Sequence, residues 1–200
     1  MTPVFSTAYL PPIAWVARAL QHNELLIEAK ETFPKQTYRN RAEIMTAGGV
    51  RTLTVPVIRE NHSRTEEVGI DYRERWNVIH LRTLSAAYSA SPYYLYYKDE
   101  LEALLMKRYE KLMELNEALL TWIFQRLKID CQCRRTEDFQ KEYAADFRNT
   151  FSPKNPYPAE GMEKYYQVFS DRLPFIPNLS NIDLLMNVGP EAKEYLKRLS

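Results

Sequence analysis

The first thirty residues restrict this chain most, because they spell strand, turn, helix and strand in quick succession. Residues 4–9 are β-capable and stop at Leu10-Pro11-Pro12. Proline is accommodated in the first turn of a helix, and Ile13, Val16, Ala17 and Leu20 then recur at the spacing of one buried helical face. Residues 24–29 (ELLIEA) form the second strand candidate. A strand, helix and strand so closely joined is a βαβ unit, whose strands run parallel and whose ligand loops lie at their carboxyl ends. The fold expected is therefore α/β.

Beyond this unit, Gly48-Gly49 separates two β-capable runs and marks a hairpin, since glycine readily takes positive φ. Leu53, Val55 and Val57 alternate with Thr52 and Thr54, the period of a half-buried strand. The expected sheet is mixed, with the hairpin beside the parallel strands. Residues 59–67 are polar and aperiodic and are expected to form an exposed, mobile loop. From Tyr72 the pattern is helical, apolar on two faces, and ends at Ser91-Pro92. One long helix is expected from about residue 99 to 127, carried by Leu101, Leu105, Leu112, Leu119, Leu120, Ile123 and Leu127. These helices should pack across the sheet. In the helical C-terminal third, residues 153–161 read as a loop, and Ser180 with Asp183 resembles a capping pair before Leu184, Leu185 and Met186. The whole of 1–200 is expected to form a single domain.

Charge and cysteine content exclude several classes. Twenty-seven basic residues against 26 acidic ones give a net charge of +1, too little for a general nucleic-acid binder. No apolar run approaches a membrane-spanning length. The N-terminus has no basic residue before Arg18, the reverse of a secretory signal, so a cytoplasmic location is expected. Cys131 and Cys133 are too close for an ordinary staple. The histidines His22, His62 and His80 are scattered, so no metal site is expected.

Any anion site must then be local, and the densest polar cluster is KQTYRNR at residues 35–41. If extended, it points Lys35, Thr37, Arg39 and Arg41 one way, and Gln36, Tyr38 and Asn40 the other. Such a row suits phosphate or carboxylate, although basic residues also protect sheet edges from aggregation. His80 lies one helical turn from Trp76 and can serve as a general base when neutral; the competing reading is a core histidine with both ring nitrogens satisfied. Asn116 interrupts the leucine stripe and requires a partner. Four tyrosines in five positions, Tyr93 to Tyr97, are suited to core packing or to stacking on a sugar. No nucleophile elbow or phosphate loop is present.

Taken in order, STAYLPP (6–12), KQTYRNR (35–41), GVRTLTVPV (49–57), RWNVIHL (75–81), AYSASPYYLYY (87–97), YYQVF (165–169) and PNLSNIDLLMNVGPE (177–191) resemble the WbqC-like protein family. The family is largely uncharacterised and is associated with O-antigen and related surface-polysaccharide gene clusters. The resemblance implies a transferase that moves glycine or another acyl group to an amino sugar. The alternative is a non-catalytic nucleotide-sugar-binding or adaptor protein. In the transferase, His80 would be the base and Asn40, with Arg39 or Arg41, would stabilise the intermediate. Lys35, Tyr38, Arg39, Arg41, Trp76 and Tyr93 would bind an anionic substrate, a nucleotide-linked or lipid-linked sugar. No motif for a cofactor or an acyl donor stands out.

Overall fold

The computed structural model describes residues 2–154, 158 and 161–199. Strand β1 (Val4–Ser6), helix α1 (Ile13–Ala19) and strand β2 (Glu24–Glu28) form the expected βαβ unit, with Val4 opposite Leu26 and Ser6 opposite Glu28 in parallel register. Extended Pro12 precedes α1, and six of the helix's seven residues are buried, which leaves only Arg18 to reach outward. Burial on nearly every side explains why so short a helix is stable, since its own propensity would not hold it. A third strand, β7 (Gln132–Arg135), adds parallel to the other side of β2, giving the order β1-β2-β7.

The hairpin of β3 (Arg41–Thr46) and β4 (Gly49–Thr54) forms its own two-stranded sheet rather than joining the parallel one. The expected mixed sheet is thus divided. Of the two glycines, only Gly49 takes positive φ, at 98°. Leu53 is buried between exposed Thr52 and Thr54, as the alternation requires. A second hairpin pairs β5 (Val57–Ile58) with β6 (Gly69–Ile70). The intervening loop expected to be exposed is pinned at its far end. Main-chain bonds run from Phe33 to Ser63, from Thr65 to Glu31 and from Glu66 to Ala29, and Thr65 is fully buried in a 3-10 turn.

Helix α2 (Trp76–Tyr88) ends before Ser91-Pro92. The single long helix expected next is two: α3 (Tyr94–Met106) and α4 (Leu112–Leu127). Lys107 and Lys111 are extended at the break, with ψ of 137° and 142°. The main chain between them pairs with β6: the Ile70 N–H donates to the Glu110 carbonyl, and the Leu112 N–H donates to the Val68 carbonyl. Glu114 then accepts from the Lys111 N–H at 3.1 Å, starting α4 afresh. Leucine spacing runs across the break because both helices bury their stripes in one core.

Among the described residues, the α-helices of the C-terminal third are α5 (Asn181–Val188) and α6 (Ala192–Arg198). The loop expected at 153–161 lies largely outside the described residues. Ser180 caps α5, its Oγ accepting from the Ile182 N–H at 3.3 Å while donating to the Leu10 carbonyl at 2.8 Å. Asp183 does not complete a capping box, because the Ser180 N–H is bound to the Glu43 carbonyl. Fully buried, its carboxylate accepts instead from Tyr88 Oη (2.8 Å), Tyr165 Oη (2.6 Å) and Gln167 Nε2 (3.1 Å). Buried Arg148 similarly ties the 136–150 segment to Glu28, at 3.2 Å, and to Asp146. Among the described residues, no helix is long and apolar enough to cross a membrane.

Candidate functional site

Residues 35–41 do not form the expected strand. Gln36 has a φ of 59°, and only Arg41 enters β3, so no row of cations shares a face. Lys35 is exposed, whereas Tyr38, Arg39 and Asn40 are buried. The Arg39 guanidinium is committed to Glu31, with Nε–Oε1 at 2.8 Å and an Nη at 2.6 Å. Burial raises the Glu31 carboxyl above its ordinary range while Arg39 opposes that shift. Asn40 Nδ2 donates to the Val55 carbonyl at 2.9 Å, and Tyr38 Oη donates to Glu43 at 3.2 Å. Asn116 donates to Thr7 Oγ1 and to the Arg39 carbonyl, which ties α4 to this segment. The cluster therefore clamps β1, β3 and α4 together. Tyr38, Arg39 and Asn40 are held by protein partners, whereas the buried Nε of Arg41 has none among the described residues and Lys35 is exposed.

His80 and Trp76 meet Tyr9 in the interior. Tyr9 Oη lies 2.9 Å from His80 Nδ1, and the Trp76 ring stands 5.1 Å from the imidazole and 6.4 Å from Tyr9. Burial pushes the His80 pKa down to about 4; a main-chain contact at Thr54 opposes the shift and Arg51 adds to it. The ring is therefore neutral, but it is 4% exposed and faces protein groups. Tyr93 is elsewhere, packed against Gly189 (φ 62°), where a Cβ would overlap its ring. The sequence-selected residues thus do not converge on one pocket.

An open groove lies where β5, β6 and the α3–α4 break meet. Its volume is about 850 Å³, and its wall includes Arg59, Tyr72, Arg108, Tyr109, Glu110 and Lys111. Arg108 lies over the Tyr72 ring at 4.8 Å, and Arg59 over Phe33 at 5.8 Å. Among the described residues, neither guanidinium makes an ion pair. A guanidinium held on an aromatic face keeps its N–H edge free for a phosphate or carboxylate. The Tyr72 hydroxyl accepts from the Tyr109 N–H at 3.1 Å, fixing the corner. The Tyr109 hydroxyl is buried and unpartnered among the described residues, an unmet hydrogen bond worth about 1–3 kcal/mol. Tyr72 also leads inward, its ring 5.8 Å from Trp76.

Sequence reasoning missed this groove because its walls come from a presumed loop and a presumed helix interior. The available signal was KRYEK at residues 107–111, a charged block interrupting the leucine stripe. Among the described residues, no cluster of three or more His, Cys, Asp or Glu side chains is arranged to hold a metal. Both cysteines are free thiols.

Comparison with known proteins agrees with the resemblance carried by the motifs between residues 7 and 152. It is 27% identical to "Uncharacterized protein Rv1507c" from Mycobacterium tuberculosis, with 88% of each chain covered. No solved structure is a significant match. The family model described as "WbqC-like protein family" matches residues 7–152, which takes in α1, β2, both hairpins, the groove and α2 to α4. On that match, this chain belongs to the WbqC-like protein family.

Proposed function

We propose that the groove binds a phosphate-bearing sugar intermediate, nucleotide-linked or lipid-linked, of an O-antigen-type surface-polysaccharide pathway. The observation that carries this reading is the pair Arg59 and Arg108, each laid over an aromatic ring and neither neutralised by a carboxylate. Arginine in that setting recognises phosphate through two parallel hydrogen bonds, while half-buried Tyr72 offers a ring edge and a hydroxyl to a sugar. The free thiols fit a reducing, cytoplasmic setting.

Binding is favoured over acyl transfer to an amino sugar because the transferase reading needs an accessible base. His80 is buried against Tyr9, and Asn40 is held by Val55, so neither offers a free group to a substrate in the groove. A thermal-shift screen of nucleotide sugars and sugar phosphates tests the proposal, because a ligand selective for the folded state raises the melting temperature. The wild-type chain should be stabilised by at least one compound and the Arg108→Gln variant much less. Equal stabilisation of both proteins, or none of either, overturns the proposal.

A further inference from the structure

The groove carries both signs of charge with little pairing between them. Arg59, Arg108 and Lys111 line it together with Glu60, Glu67 and Glu110. The one ion pair formed among these six is Lys111 with Glu110, and it is long, at 4.0 Å. Lys111 Nζ donates instead to the Glu67 carbonyl at 3.2 Å, and one Glu67 carboxylate oxygen accepts the Arg64 N–H. Glu60 and Glu110 are exposed at the groove wall, and both arginines face it unpaired.

A site for a simple anion would not keep carboxylates in its wall, since each repels the ligand that the arginines attract. A groove that served only as solvated surface has no need to hold arginines on rings. We infer that the ligand is a zwitterion, bearing an ammonium group as well as a phosphate. The phosphate meets Arg59 and Arg108, and the ammonium meets Glu110 and Glu60. Because the groove is open to solvent, each contact is screened, and selectivity arises from several modest pairings rather than one deep one. This inference rests on the groove's being the ligand site, and it goes further by naming the ligand's second charge.

Glucosamine 1-phosphate and glucose 1-phosphate differ only in an ammonium replacing a hydroxyl, so their affinities isolate that charge. Titration calorimetry at a pH where the amine is protonated should show the amino compound binding about fivefold more tightly or better. The variant carrying Glu60→Gln and Glu110→Gln should lose that preference while binding glucose 1-phosphate at least as tightly as the wild type does, since the carboxylates only repel that compound. Raising the pH until the amine is neutral should remove the preference from the wild type as well. Equal affinities for the two compounds in the wild type would overturn the zwitterion inference and leave the groove assignment standing. If neither compound binds, both fall.

Discussion

Tyr9 Oη and His80 Nδ1, 71 residues apart in sequence and 2.9 Å apart in space, join the turn after β1 to helix α2. Their partnership makes the histidine a fixture of the core, and its consequence is a dependence of stability on pH. The folded pKa of about 4 lies below the ordinary 6.5, so on acidification the unfolded chain takes up the proton first. Stability from this group is full above about pH 6.5 and is lost as the pH falls toward 4, by about 3 kcal/mol in all. The stability advantage of wild type over a His80→Asn variant, from urea unfolding, should shrink across that interval. An advantage that stays constant from pH 7 to 4 would contradict it.

Arg39 offers a sharper test of architecture. Its guanidinium is 3% exposed on the side chain and rests on Glu31, so Arg39→Gln leaves a buried carboxylate uncompensated. We expect a loss of about 3–5 kcal/mol, with much of it recovered in the double variant that also carries Glu31→Gln. A loss below about 1 kcal/mol would restore Arg39 to the list of free, ligand-seeking cations.

Asp183 is a buried carboxylate held by three neutral donors, and burial raises its pKa. Because the folded state holds this proton more tightly than the unfolded chain does, the group's contribution to stability declines as the pH rises through the window above 3.8, opposite in sign to His80. Replacing it with alanine should leave the hydroxyl protons of Tyr88 and Tyr165 without their acceptor, while Gln167 keeps the Ile176 carbonyl, and cost about 2–4 kcal/mol. A Tyr165→Phe change should then cost less in the Asp183→Ala background than in the wild type, as double-mutant unfolding curves will show. Simple additivity would mean that the contact carries little energy.

The legible parts of this fold were those with a local cause. Pro11-Pro12 and the apolar stripe of α1 announced the βαβ unit, and the glycine pair announced the first hairpin. The division of the long helix was hidden because Leu105 and Leu112 continue one spacing into the same core. It is imposed by β6, some forty residues earlier, through the main-chain bond from Ile70 to Glu110. The candidate site was hidden for the same reason, since pairing of distant segments brings Arg59 and Arg108 to one groove. At residues 35–41 polar density signals a need for partners, which Glu31, Val55 and Glu43 supply to Arg39, Asn40 and Tyr38.

The central claim is that the groove, and not the 35–41 cluster, receives the ligand. The most direct measurement is the affinity of one sugar phosphate for wild type, Arg59→Gln, Arg108→Gln and Arg41→Gln, by titration calorimetry on proteins checked for folding. The account predicts that each groove substitution weakens binding by about fivefold or more, and that Arg41→Gln leaves it unchanged. Loss of affinity in Arg41→Gln with full affinity in the two groove variants would contradict it.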